Sequence, residues 1–405
     1  MHSWSVTLPF EFFLSPEFSR DPYGAYAGLR ARGPVHAVDF PPGSSAFVVV
    51  DYELGRSLLT DPRVSKDLAN GPSWFAEVVT SGNPVLARNM LSTDPPDHTR
   101  LRKAVGNGFT PRRVELMRPR VQQIADELAA SLPDGRADLI DSFAFPLPII
   151  VICELLGVAD ADRDDFRTWT GDLLEPAMDD EVKERQAVAN ASLRDYFTRT
   201  IAERRADPAD DLVSALAAAG ELTDQELLST LVLLLIAGHE TTVNLIGNGM
   251  LALLRNPGQL ALLRERPELM PRAVEEFLRY DAPVERATFR FAVEDLDLAG
   301  THVPKGSFVH VSLGAAARDP KAFPEPDRLD LTREDNRHLS FGHGVHFCLG
   351  APLARLEGQI AFETLLRHRP HIELDVPEEE LSWRLSGAVV RGLAGLPVRF
   401  TPTPA

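Results

Sequence analysis

Apolar positions divide this chain into a short β-rich start, a long helical middle and an end that is partly irregular and partly β-rich. A helix is predicted over 22–32. Two strands follow, Val35 to Asp39 and Ala46 to Val50, where β-branched residues sit between Pro and Gly punctuation. Apolar residues at three- and four-residue spacing then predict helices over 97–106, 112–132, 142–157, 160–204 with a break near 175–180, and 208–219. Residues 61–96 lack such a period and contain Asn70-Gly71-Pro72 and Ser81-Gly82-Asn83-Pro84. They read as a long loop, which is unusual inside a compact domain unless it has a task.

The longest helix opens on a capping box, Thr223-Asp224-Gln225-Glu226, and runs to Arg255, where Asn256-Pro257 ends it. It should span about 50 Å. Leu231 to Ile236 are apolar all round, so this helix must cross the interior. A helix over 271–281, β-like runs over 288–312, a Pro-rich irregular stretch over 318–336, a helix over 351–367 and terminal strands complete the pattern. The predicted class is mainly α, with helical portions at 97–281 and 351–368 and β-rich portions at 33–60, 284–315 and 371–405.

Composition narrows the possibilities. The chain has 405 residues, 44% of them hydrophobic, enough to bury a large core. No Gly/Ser linker, repeat or low-complexity tract divides it, so one domain over 1–405 is expected. A net charge of −17 argues against nucleic acid or an anionic membrane as partner. The segment Met1-His2-Ser3-Trp4-Ser5-Val6-Thr7-Leu8-Pro9 has no basic region followed by an apolar one. No stretch approaches the roughly 18 to 20 apolar residues that span a bilayer, so the expectation is a cytoplasmic protein.

Two cysteines exclude a disulfide framework and a multi-cysteine zinc or iron–sulfur site. Cys153, in the run Ile149-Ile150-Val151-Ile152-Cys153, reads as inert core. Cys348 stands in a different setting, Phe341-Gly342-His343-Gly344-Val345-His346-Phe347-Cys348-Leu349-Gly350. The glycines let the backbone turn, approach a large flat group and aim amides at the sulfur. One thiolate suffices as an axial haem ligand.

This loop resembles the cysteine-ligand signature of the cytochromes P-450, the haem-thiolate monooxygenases. The resemblance implies a triangular, mainly helical domain that binds haem b through Cys348, with Phe341, Gly342, His346 and Gly350 around the ligand. It also implies O2 as co-substrate and electrons from NAD(P)H through external redox proteins. No Gly-rich βαβ unit follows Cys348, so the reductase should be a separate protein. The closer likeness is to actinobacterial macrolide and polyketide hydroxylases.

Within the long helix, Ala237-Gly238-His239-Glu240-Thr241-Thr242 breaks an apolar run. Read from its residues, it is a kink in which Thr241 bonds back to a carbonyl and Glu240 finds a salt bridge. It is also similar to the family's oxygen-side motif. That likeness implies Thr241 and Glu240 as the catalytic proton-delivering pair, Ala237 and Gly238 as space for O2, and Leu233 and Leu234 facing substrate. His239 reads as a structural histidine.

Glu276 and Arg279 lie one turn apart, ordinarily a weak surface pair, and Glu275 competes for the same arginine. The resemblance makes Glu276 and Arg279 a structural pair completed by Arg328 of the Pro-rich stretch. His98 and Arg102 share a helix face at i and i+4. With Arg290 and His346 they match the family's contacts to the haem propionates.

The family map assigns the substrate pocket to the loop over 64–92 with Met90 and Leu91, the hinge over 170–182, Val284, and the turn from Gly387 to Val390 with Val389. Arg100, Lys103, Arg112, Arg113, Arg118 and Arg355 read either as ordinary helix surface or as a basic patch that steers an acidic ferredoxin, itself served by a ferredoxin reductase. A monomer is expected. The implied reaction is hydroxylation or epoxidation of a bulky hydrophobic macrolide or polyketide. Steroid or lipid hydroxylation is one alternative, and a haem sensor or carrier without turnover is another. A peroxygenase is disfavoured, because members of that kind lack the acid–threonine pair.

Overall fold

The helix Asp224–Arg255 is the axis of the molecule. Its capping box closes as the pattern predicts: Thr223 Oγ1 accepts from the Glu226 backbone N–H, and the Glu226 carboxylate accepts from the Thr223 N–H. The computed structural model describes residues 7–401 apart from 41–43, 83, 87, 160–161, 176–178 and 387–388. Among these, this is the one helix long and apolar enough to cross a membrane, but 83% of its apolar window is buried inside the protein. Such burial marks a core helix.

The helices that enclose this axis follow the sequence pattern with local differences. The predicted helix over 142–157 is a π-helical turn, Ile140–Ala144, followed by Pro146–Leu156, because Pro146 has no N–H for the preceding turn and suits a helix start. The run over 160–204 divides into Arg163–Leu174 and Asp180–Ala206, and the centre of its break lies outside the described residues. Met270–Tyr280 and Ala351–His368 pack on the axis through Phe277 and Phe362, whose ring centroids are 4.7 Å apart. Cys153 is fully buried in this core.

The strands form separate sheets around the helical body. The largest is mixed, in the order Leu8–Pro9, Val35–Phe40, Ser44–Val49, Phe308–Val311, Phe291–Ala292 and Val64–Ser65. A second sheet sets Pro397–Phe400 between Ile372–Leu374 and Gly135–Asp138. Gly135–Asp138 is thus a strand inside the stretch read as helical, stabilised by a partner about 260 residues away that no local pattern reveals. A hairpin, Trp383–Ser386 with Val390–Leu393, lies beside the axis helix.

The stretch 61–96 corrects the sequence reading. It contains a helix, Ser73–Gly82, together with short turns at Leu68–Asn70 and Pro84–Leu86. The cause is tertiary. Phe75 packs against Phe289, Phe291 and Phe308 with ring centroids 5.0, 5.9 and 5.0 Å away, and Trp74 donates from Nε1 to Ser44 Oγ at 2.6 Å. Aromatic packing of this kind outweighs weak local periodicity.

Candidate active site

The cysteine loop leads into the helix Ala351–His368. Gly342 and Gly344 adopt φ of +73° and +76°, a region open to glycine, and a Cβ on Gly344 would lie 2.7 Å from Thr60 Cγ2. The loop is closed by Cys348 N–H donating to the Phe341 carbonyl at 2.8 Å and Gly342 N–H donating to the Leu339 carbonyl at 2.7 Å. Cys348 is exposed, yet enough protein surrounds its sulfur that burial pushes the thiol pKa up. The backbone N–H groups of Gly350 and Ala351 and the Arg102 guanidinium act in the opposite sense, favouring thiolate. Arg355 stacks 4.6 Å from the Phe341 ring centroid and fixes the loop's leading aromatic.

Four predicted donors converge beside this loop. His98 and His346 have ring centroids 4.3 Å apart. Both ring nitrogens of His98 and Nε2 of His346 are buried without a hydrogen-bond partner among the described residues. Arg290 is buried and, among the described residues, donates only to the Thr288 carbonyl, at 3.1 Å, and burial lowers its pKa to about 10. Arg102, half-buried on the His98 helix, has no ion pair among the described residues. Burial first, then Lys66, His98, Arg290 and Arg102, lower the His346 pKa to about 2. Unpaired buried donors are costly, so this cluster is built for an anionic ligand.

On the axis helix the pattern of burial breaks at one place. Positions 226–236 are buried, but Ala237 is exposed and Gly238 and Thr241 are half-buried. Thr241 donates from Oγ1 to the Ala237 carbonyl at 2.9 Å, and Arg384 donates to Glu240 at 3.0 Å. A Cβ on Gly238 would lie 2.9 Å from Ile152 Cδ1, so the missing side chain there admits the neighbouring helix. His239 is structural: Nδ1 donates to the Leu235 carbonyl at 2.7 Å, Nε2 lies 3.3 Å from Thr170 Oγ1, and burial keeps its pKa below the usual imidazole value.

Glu276 and Arg279 are fully buried and joined twice, each time at 2.8 Å. Arg279 also donates to the carbonyls of Ala317, Pro326 and Arg328, which pins the irregular stretch before the cysteine loop. Arg328 is not the third member. Its side chain points outward to Glu325 and Asp330, while Arg333 reaches Glu276 Oε2 at 3.2 Å with Asn336 beside it at 3.1 Å. Glu275 leaves Arg279 to Glu276 because it binds Arg355 and His338.

Of the predicted pocket residues, Met90, Leu233 and Leu234 join one buried cluster with Leu91 packed against it. Val284 bridges to Val390, and the Val389 carbonyl accepts from Glu285 N–H at 2.8 Å. Gly387 and the centre of the 170–182 hinge lie outside the described residues. Of the six basic residues, Arg100, Arg118 and Arg355 are neutralised by Glu226, Glu115 and Glu275. Among the described residues, Lys103, Arg112 and Arg113 are exposed without an ion pair.

A family model described as Cytochrome P450 matches residues 167–371. The chain is 50% identical over 395 residues to the cytochrome P450 monooxygenase PikC of Streptomyces venezuelae, covering 96% of this chain and 93% of that one. This chain belongs to the cytochrome P450 family. It is also 44% identical over 402 residues to the 6-deoxyerythronolide B hydroxylase of Saccharopolyspora erythraea, covering 95% of this chain and 98% of the relative. Among solved structures, the P450 enzyme CxnD for C–S bond formation in chuangxinmycin biosynthesis superposes with a TM-score of 0.93 at 45% identity, covering 100% of both chains.

As a P450 monooxygenase the protein uses haem b, O2 and electrons delivered from NAD(P)H through redox partners. The residues present fit a haem: a sulfur facing backbone amides, and unpaired donors suited to two carboxylates. Three participants escaped the sequence reading. Arg333 is one of two arginines five positions apart in a stretch without period. Arg384 and Lys66 become neighbours of the site only through long-range packing.

Proposed function

We propose that this monooxygenase hydroxylates or epoxidises a bulky, apolar metabolite of macrolide or polyketide type, with Cys348 as the thiolate ligand of haem b. Bound in this way, haem supplies the oxygen activation that places one atom of O2 into a C–H or C=C bond. The observation that carries the cofactor assignment is the convergence of His98, Arg102, Arg290 and His346, paired with no acid among the described residues, next to Cys348. These four hold the two propionates, and Glu276, Arg279 and Arg333 keep the preceding stretch in register.

Thr241 and Glu240 move protons to the oxygen side. The Thr241 hydroxyl, held on the Ala237 carbonyl, sits where the burial of the axis helix breaks, and the buried Glu240 beside it is held by Arg384. Met90, Leu91, Leu233, Leu234, Val284 and Val389 exclude water and shape the pocket. The likeness to the 6-deoxyerythronolide B hydroxylase supports the substrate class.

The electron donor is a small acidic ferredoxin served by a ferredoxin reductase. Its docking site is the surface around Lys103, Arg112 and Arg113, where Leu116 is exposed one helical turn from both arginines. The protein works as a monomer in the cytoplasm.

The deciding experiment is the visible spectrum of the reduced protein under carbon monoxide, for wild type and Cys348→Ser, followed by titration with macrolides, steroids and fatty acids. A strongly red-shifted Soret band lost in the variant, with macrolides giving the tightest spin-state change, is the expected result. An unshifted band in folded wild type would overturn the ligand assignment. Tighter binding of steroids or fatty acids would overturn the substrate class.

A further inference from the structure

Lys66 follows the edge strand Val64–Ser65, and its side chain turns into the protein, where it is 1% exposed. Its ammonium donates to Thr288 Oγ1 at 2.5 Å and sits 4.8 Å from the centroid of the Phe289 ring. Among the described residues no carboxylate pairs with it. Asp94, the acid whose charge reaches it, is engaged elsewhere: it accepts from the Ser65 hydroxyl and, at 3.0 and 3.2 Å, from the Lys66 backbone N–H.

A buried ammonium with a hydroxyl and an aromatic face as its partners is far from the hydration it gives up. Neither replaces an anion. The surroundings make this worse, because Arg290 and His346 lie within electrostatic reach of Lys66 and, among the described residues, have no acidic partner themselves. Two cationic side chains, Lys66 and Arg290, crowded together with the unpaired ring nitrogen of His346 have a simple resolution, which is a polyanionic group in their midst.

We infer that Lys66 is a further member of the haem cradle, pairing with a propionate carboxylate directly or through the Thr288 hydroxyl. This rests on the haem-thiolate reading above. Thr288 suits a relay because its oxygen accepts from Nζ and leaves its own O–H free to donate onward. Asp94, by holding the Lys66 backbone, fixes where the lysine enters the site. Lys66 is a positioning residue in this scheme: it binds the cofactor's periphery and takes no part in the reaction at the iron.

The test uses holoprotein whose reduced carbon monoxide band has already established thiolate ligation, so failure of that reading shows separately. Wild type, Lys66→Met and Lys66→Arg are loaded with haem b and with its dimethyl ester, whose propionates carry no charge. Haem transfer to excess apomyoglobin and the ferric–ferrous midpoint potential are measured for each. Lys66→Met should release haem b on the order of tenfold faster than wild type. Its potential should be more negative, since a cation beside the electron-accepting group is gone, and Lys66→Arg should stay near wild type. With the dimethyl ester the gap between wild type and Lys66→Met should close.

Equal transfer rates with haem b would overturn the inference, as would a gap that persists undiminished with the ester, which would assign Lys66 to packing alone. If Lys66→Met does not accumulate, a crystal structure of haem-bound wild type decides. A propionate oxygen within about 3.5 Å of Lys66 Nζ or Thr288 Oγ1 supports the pairing, and a structure with no propionate oxygen that close to either atom overturns it.

Discussion

Arg384 Nη1 donates to Glu240 Oε1 at 3.0 Å, joining the C-terminal hairpin to the acid that precedes Thr241 on the axis helix. Glu240 is buried and Arg384 one-third exposed. Removing the arginine strands a buried carboxylate, which costs about 1–3 kcal/mol. Urea unfolding of Arg384→Ala, Glu240→Gln and the double variant should show the double variant losing less than the sum of the singles. Strict additivity would mean that the pair contributes nothing.

Thr241→Ala should separate electron consumption from product formation. NAD(P)H oxidation should continue while product per NAD(P)H falls roughly tenfold or more and peroxide accumulates. Oxidation, peroxide and product are measured in the same reaction. Unchanged coupling would remove Thr241 from proton delivery and leave its hydroxyl with the Ala237 carbonyl bond alone.

Arg333 and Arg328 lie five residues apart and should behave very differently. Arg333→Ala leaves Glu276 with Arg279 and Asn336 but takes away one of its cations, a loss of about 1–3 kcal/mol. Arg328→Ala removes an exposed pair and should change stability by no more than about 0.5 kcal/mol, because Arg279 uses only the carbonyl of residue 328. Thermal unfolding of the two variants gives the comparison.

Acid should loosen the cysteine loop through Glu275. Burial raises its pKa, but Arg355 and His338 lower it more, to about 2 from the ordinary 4.5. The folded pKa is therefore below the unfolded one. The stabilisation is complete above about pH 4.5 and is lost as the pH falls toward 2, with up to about 3 kcal/mol at stake. Glu275→Gln should be less stable than wild type at pH 6, and the gap should narrow steadily below about pH 4.5 as the pH falls toward 2. Circular dichroism across an acid titration measures this.

What could be read from sequence was local or had fixed spacing. The glycine-framed loop around Cys348, the i,i+4 pair His98 and Arg102, the i,i+3 pair Glu276 and Arg279, and the capping box at Thr223 each lie within a few residues. What could not be read depends on distant partners. Ser73–Gly82 is a helix because Phe75 meets Phe289, Phe291 and Phe308, more than two hundred positions away. The choice between Arg328 and Arg333 is made by the path of a stretch that has no period to reveal it. Lys66 has the sequence surroundings of a surface residue, and folding around it places its ammonium in the interior.

The sheet that sets Pro397–Phe400 between Ile372–Leu374 and Gly135–Asp138 also governs the order of events during synthesis. After Gly135–Asp138 leaves the ribosome, the strand that will cover it emerges only about 260 residues later. At about 5–20 residues per second, that edge waits roughly 13 to 50 s with its amides unpaired. The nascent chain must pass through this interval with an adhesive strand on display, so slow translation of the second half should favour misassembly of the first.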